Sequence, residues 1–558
     1  MINKDLSPSI SRRIRMSILT LFILLMSIAT LPLSAQETLP PYHWVYHYLD
    51  YLKVRGFLPD LNYSDRPFSR QQIARALVTI QAEAMALTPR ERQMVRILLE
   101  EFRNEIQMLA VAEPEKWQQL IRELLETFRW ELFPETITPE LKLGGFGELS
   151  GIQSRTQKSQ FRLHTLVALN WRNRIFLLNN SRIFNRPDST YIGKKFRNIY
   201  AYTEQGYLNF QNDWLQAKIG RDFLQIGPGR SGQLLISDNS RPFDMYYFRL
   251  GTRMVHFSYW GIQLNPRGNT TPQTRTLAPY ANRFLNGHRL QFNFKNKVYL
   301  GVSEVILYGG PNENWELGYM NPFALYYAHT VNNVGLAANS FFDFDWDIYL
   351  IPNVEIYGEF LVDDFQIDKK DPGDLEPNEL GLILGANWAS PFQINGAQLH
   401  LEYVQIRNRT YNAPINDWEK YLHRNRVIGY YLGNNFERFL LNAYYWIRPD
   451  LRLQLLTYYT RQGEGSVQGE FNKDYLQYTV EEGYSEPFPY GVVENHLEVG
   501  FAVFYNPFPF TTITLEVTRD QFRNYLHRPG NRFNDTTIRL NVWVEWDHTF
   551  RVKEKNAQ

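Results

Sequence analysis

From about Leu141 to Phe550 the chain alternates apolar and polar residues with a period of two, run after run. In "NHLEVGFAVFYNP", Leu497, Val499, Phe501, Val503 and Tyr505 share one face, and His496, Glu498, Gly500 and Ala502 share the other. "TTITLEVTRD" sets Ile513, Leu515 and Val517 against Thr512, Thr514, Glu516 and Thr518. "TIRLNVWVEWDHTF" repeats the pattern through Ile538, Leu540, Val542, Val544 and Trp546. Successive side chains of a strand point to opposite faces, so each run makes one apolar and one wet face. Short polar turns such as "QND", "KNK" and "RPD" join runs into hairpins. The aromatic share of 15%, with 35 Tyr, 37 Phe and 13 Trp, has to be interleaved finely with polar residues, because the mean hydropathy is still negative.

The N-terminus decides which kind of sheet this is. Lys4, Arg12, Arg13 and Arg15 precede the apolar run "MSILTLFILLMSIATLPL" and the small residues Ser34 and Ala35, the pattern of a signal peptide over residues 1–35. No Cys occurs, so neither a lipid-bearing cysteine nor a disulfide is available. An exported antiparallel sheet with aromatic strand ends and charged wet faces fits a transmembrane barrel, where closure satisfies every backbone group in lipid. At roughly 20–25 residues per strand and turn, residues 139–552 allow on the order of 18 strands. A short tail, 553–558, follows.

Residues 36–138 read differently. "HWVYHYLDYLKVRGFL" places Trp44, Val45, Tyr48, Tyr51 and Leu52 at helical spacing, with Gly56 as a stop. Ser69 is a candidate cap for "RQQIARALVTI", and Thr88, Pro89 and Glu91 start a third helix through "QMLA". "PEKWQQLIRELLETFRWELF" is a fourth. Over residues 41–80 the first pair resembles an S-layer homology module. That resemblance implies contact with peptidoglycan or another wall polymer through Trp44, Tyr48, Arg66, Pro67 and Arg70. A plain helical bundle with an aromatic core is the competing reading. The expected architecture is therefore mainly β: a transmembrane antiparallel barrel preceded by a small periplasmic α-helical domain.

"GRDFLQIGPGRSGQLLISDNSRPF" contains a literal G-x-G-x-x-G at Gly227, Gly229 and Gly232. A dinucleotide site needs a helix to follow those glycines, whereas "QLLISDNSRPF" has no helical face. The glycines instead fit a tight turn or a close backbone approach. The same stretch resembles a signature of the Wzi-type capsule assembly proteins through Gly220, Arg221, Gly227, Pro228, Gly229, Ser237, Arg241, Pro242 and Phe243. "WELGYMNPFALYY" (Asn321, Pro322), "VEIYGEFLVDDFQID" (Tyr357, Gly358, Glu359, Asp363, Asp364) and "GYYLGNNF" resemble further family blocks in the same order. The resemblance implies an outer-membrane barrel with a periplasmic helical bundle, which acts as a lectin for capsular or exopolysaccharide. A wall-tethered porin and a purely structural tether are the alternatives.

Sugar recognition needs aromatic faces and planar polar groups, and Arg407, Arg409, Tyr411, Trp418 and Tyr421 supply both in one long loop. "DFDWD" puts Asp343, Asp345 and Asp347 on one strand face without the glycine turn of a calcium loop, and the expected partners are lumen arginines. Outer-membrane lipid is the remaining expected partner. Basic and acidic residues balance at 59 and 58, which gives no field for nucleic acid. No motif calls for a cofactor, a metal or catalysis.

Overall fold

The structure, a computed structural model, describes residues 37–80, 86–112, 114–128, 139–171, 175–188, 190–191, 193–212, 214–268, 281–332, 338–366 and 369–551. The expected signal peptide and C-terminal tail lie outside these residues.

Eighteen antiparallel strands close into one barrel. In chain order they are β1 (Glu140–Gln153), β2 (Gln160–Trp171), β3 (Ile175–Phe184), β4 (Tyr200–Gln211), β5 (Leu215–Asp222) and β6 (Phe243–Gly251). Next come β7 (Val255–Arg267), β8 (Ala281–Phe294), β9 (Val298–Gly310), β10 (Ala338–Ile351), β11 (Val354–Asp364) and β12 (Glu379–Ala389). The last six are β13 (Ala397–Ile406), β14 (Phe436–Arg448), β15 (Leu451–Gln462), β16 (Glu494–Phe508), β17 (Thr511–Arg523) and β18 (Arg532–Arg551). Pairing of β18 with β1, from Gln153 opposite Ile538 to Glu140 opposite Arg551, removes the last free edge. The period-two reading holds in detail, because Leu149, Ile219, Leu384, Leu401, Phe439, Phe501 and Leu540 point outward and are exposed. A ring of apolar side chains around a closed sheet is a lipid-facing belt. Short turns such as 352–353, 449–450 and 509–510 lie at one end, and the long segments 185–199, 223–242, 365–378, 407–435 and 463–493 lie at the other.

Among the described residues, five helices occupy the short-turn end: α1 (Tyr46–Val54), α2 (Arg70–Thr79), α3 (Pro89–Glu101), α4 (Arg103–Ala112) and α5 (Pro114–Phe128). Ser69 accepts from the Gln72 amide and Thr88 from the Glu91 amide, and each third residue returns a bond to its cap. Gly56 stops α1 with φ of +90°, which a β-carbon disfavours. The helix expected from Thr88 through Ala110 is broken at Phe102. That ring is fully buried beneath the Arg70 guanidinium, 4.8 Å away, and the break lets α4 pack on α2.

The helices share a core with the barrel. Trp446 and Ala389 are buried among Tyr48, Tyr51 and Leu52. The Tyr48 hydroxyl donates to the Pro449 carbonyl (2.8 Å), and the Arg55 guanidinium to Asn353 Oδ1 (2.5 Å). Ahead of α2 the chain enters the lumen, where Asp65 and Arg66 pair with Ile226 and Gln225.

Candidate functional site

The glycine-rich stretch is an inward fold of segment 223–242, and one carboxylate holds it. Glu359, on β11 and fully buried, accepts from the Gly229 amide (2.7 Å) and the Leu234 amide (2.6 Å). Gly227 sits at φ +117° directly against that carboxyl, so neither its conformation nor the space admits a side chain. Glu402 accepts from the Arg230 amide (2.9 Å) and from the Tyr357 hydroxyl (2.6 Å), which also lies 2.6 Å from His400 Nε2. Ser237 donates to the Gly429 carbonyl (2.6 Å). Arg241 donates to Thr190 (2.6 Å) and lies over the Tyr202 ring, while Phe243 is buried against His423. Gly220, Arg221 and Asp364 belong to the wall or its rim, Arg221 in an exposed pair with Asp244. Gly358 faces the Trp346 ring. No helix follows the glycines, in agreement with rejection of a nucleotide site.

Segment 407–435 also turns inward, so its residues have roles different from those of an open loop. Tyr411 and Tyr421 are fully buried, stack at 5.5 Å, and donate to the Leu234 (2.5 Å) and Leu235 (2.8 Å) carbonyls. Asp363 accepts from the Tyr411 amide (2.6 Å). Arg409 is buried in a fork with Glu486 (2.6 and 3.1 Å). Trp418 is half-buried and offers its carbonyl to Arg283 (2.6 Å). Arg407 alone of the five is exposed, over the Phe488 ring at 4.6 Å. The structure therefore spreads these residues through a plug rather than gathering them on one face. The helical candidates are equally engaged: Trp44 and Tyr48 are buried, Arg66, after which Pro67 follows, donates to the Gly229 carbonyl (3.1 Å), and Arg70 pairs with Glu101 (2.8 Å) and Glu105 (2.6 Å). Of the acidic row, Asp345 is paired with Arg289 as expected.

These inward folds fill only part of the lumen. Against β8 to β13 the lumen side chains, among them Leu285, Val305, Phe341, Leu361 and Val404, are packed with Tyr411, Tyr421 and Ile428 into one apolar core. Along β16 to β18 and β1 the lumen-facing His496, Glu498, Glu516, Asp520, Phe522, Phe533, Arg539 and Trp543 are only half-buried. This wet furrow alternates rings with charges. His496 stacks on Phe522 (3.9 Å), Tyr525 on Phe533 (4.6 Å), and Phe146 between His164 and Trp543 (3.9 and 3.7 Å). The ion pairs Arg539–Glu516 (3.2 Å) and Arg162–Glu148 (3.1 Å) and the hydrogen-bonded His496 and Asp520 (2.8 Å) lie beside them. At its deep end is a cavity of about 250 Å³ lined by Tyr42, Arg182 and Thr514 among others. Stacking faces next to fixed carboxylates and guanidiniums are what a hydrated sugar chain requires. The sequence carries these residues as the wet phase of the strands whose apolar phase faces outward.

At the mouth, Glu376 follows the turn Pro372–Leu375, which packs on the turn Asp474–Gln477. Burial pushes its carboxyl up to about 7 from the usual 4.5, although the Tyr475 hydroxyl and Arg409 pull the other way. A raised acid contributes stability that is complete below about 4.5 and is lost as pH rises through about 7. Protection of the amides in 369–378, taken relative to the intrinsic exchange rate at each pH, should therefore be lower at pH 8 than at pH 5.5, and Glu376→Gln should remove the difference. Equal protection at both pH values in the unaltered chain would contradict this.

The chain matches the model of the family "Capsule assembly protein Wzi" over residues 150–535, more than half its length. No curated protein matches it. Among solved structures, Escherichia coli Wzi, an outer membrane protein involved in group 1 capsule assembly and a carbohydrate-binding β-barrel, superposes with a TM-score of 0.57 at 14% identity, covering 92% of this chain and 99% of that one. Pseudomonas aeruginosa OccD3 aligns with a TM-score of 0.41 at 11% identity, covering 73% of this chain and 91% of its own. Acinetobacter baumannii OccAB4 gives 0.41 at 10% identity, covering 75% and 99%.

Proposed function

The chain belongs to the capsule assembly protein Wzi family, and we propose that it is a non-enzymatic outer-membrane lectin that binds capsular or exopolysaccharide and helps assemble or retain it at the cell surface. The observation that carries this is the half-filled lumen. One side is packed solid by segments 223–242 and 407–435, and the other is a furrow of rings and charges reached from the long-loop end. Arg407 and Trp418 stand near the mouth as further glycan contacts. The helical segment faces the periplasm in this reading. Its Trp44, Tyr48 and Arg70 are buried against the barrel and the other helices, which favours an anchoring role for them over contact with a wall polymer. The two inward folds, together with the helical segment across the short-turn end, also disfavour the porin alternative.

Deleting the gene should release polysaccharide into the medium while its total stays constant; unchanged retention would count against the proposal. In the purified chain, Phe522→Ala with Phe533→Ala should weaken polysaccharide binding about tenfold or more, since an aromatic contact of this kind is worth roughly 0.5–1.5 kcal/mol beyond its burial. Unaltered affinity would move the site out of the furrow.

A further inference from the structure

Segment 311–332, between β9 and β10, folds over the outside of the barrel, unlike the two segments that fill the lumen. Its short helices, α6 (Leu317–Met320) and α7 (Tyr326–Asn332), lie against outward-facing positions of β7 to β9. The register settles the side: Tyr259, His288 and Glu304 are opposite one another in one row, while their neighbours Trp260, Arg289 and Ser303 face the lumen. The Tyr259 hydroxyl donates to the Met320 carbonyl (2.6 Å), Asn286 to the Tyr319 carbonyl (2.9 Å), and the Tyr327 amide to Glu304 Oε1 (2.8 Å). Beneath the hairpin, His288 Nε2 lies 3.2 Å from Glu304 Oε2.

That ionisable pair is out of place on a lipid-facing wall. It sits one row from Phe257, Leu290, Val302 and Phe344, which belong to the apolar belt. Ionisable side chains opened to hydrocarbon are costly, and the hairpin roofs these two. The roof's own outer surface is apolar: Leu317, Phe323 and Leu325 are 80%, 83% and 67% exposed, with Tyr327 and Val331 beside them. Between Trp315 and Asn332 the only acidic or basic side chains are Glu316 and His329. Phe323 stacks on the belt residue Phe257 at 5.6 Å, so the exposed face continues the belt outward without a polar break.

We propose that this hairpin is an amphipathic wedge whose outer face is buried in the acyl chains of the outer leaflet, so that it both seals the His288–Glu304 pair and anchors the long-loop end of the barrel at a fixed depth. The inference rests on the membrane reading given above. The chain has no cysteine, so single labelling sites can be introduced at exposed positions without disturbing packing. Nitroxide labels on Phe323→Cys and Leu325→Cys, in full-length protein in phosphatidylethanolamine–phosphatidylglycerol vesicles, should collide several-fold more with oxygen than with a water-soluble nickel chelate. They should match a belt reference at Leu384→Cys and differ from a loop reference at Ile415→Cys, which are 44% and 78% exposed. Hairpin labels that prefer nickel while Leu384→Cys prefers oxygen would overturn the wedge and leave the barrel reading standing. Hairpin labels shielded from both reagents would overturn it in favour of a second copy or a protein partner. A nickel-accessible Leu384→Cys would instead remove the membrane reading itself, and the wedge with it.

Discussion

Replacing Glu359 by alanine should unseat segment 223–242 and speed amide exchange at Gly229 and Leu234 by roughly a hundredfold or more. A buried donor left without its partner costs about 1–3 kcal/mol, and this carboxyl accepts from two amides, both fully buried. Loss of about 3 kcal/mol in local opening energy is a factor of roughly a hundred, at about 1.4 kcal/mol per tenfold. Glu359→Gln keeps the shape but leaves one amide facing an NH2 group, so it should fall between the two. Because Tyr411 and Tyr421 donate to the carbonyls of Leu234 and Leu235, the loosening should spread to segment 407–435. Exchange in Glu359→Ala indistinguishable from that of the unaltered chain would show that the plug is held by its apolar core alone.

The second large effect is on the barrel as a whole. Arg289 is fully buried on the lumen side and forks onto Asp345 (2.5 and 3.0 Å), with a further bond to Ser303 (3.0 Å). Asp343 and Asp347 flank it on the same face, both buried. Arg289→Ala leaves Asp345 buried without its partner, which costs about 3–5 kcal/mol for a buried pair broken on one side. The expected result is a marked fall in the temperature at which the folded band is lost on electrophoresis without boiling. The double change Arg289→Met with Asp345→Leu should recover most of it, because removing both charges also removes the desolvation penalty. A double variant as fragile as the single one would mean that Arg289 serves packing rather than charge balance.

The wall was legible because its physics is local. A period of two along "NHLEVGFAVFYNP" or "TIRLNVWVEWDHTF" states which face meets lipid, and closure follows from the need to satisfy backbone groups there. Caps at Ser69 and Thr88 were legible for the same reason, since each bond spans three residues. The plug was not. Whether Tyr411 hangs in solvent or is buried depends on the carbonyl of Leu234, 177 residues away, and nothing near Tyr411 in the chain encodes that meeting. "WELGYMNPFALYY" resembles a family block in the sequence, but its place outside the wall follows only from the outward row of Tyr259, His288 and Glu304 that it covers. The break at Phe102 was hidden because helical periodicity continues across it. The furrow was written in the wet phase of β16 to β18, and only the contrast with the packed side of the lumen singled it out.

The central claim is that the chain fills its own lumen on one side and offers the other to polysaccharide, instead of conducting solutes. Planar-bilayer recording of the purified full-length protein tests it most directly. No steady conductance is expected, because the helical segment and segments 223–242 and 407–435 together obstruct the way through. A stable open channel in the unaltered protein would contradict it.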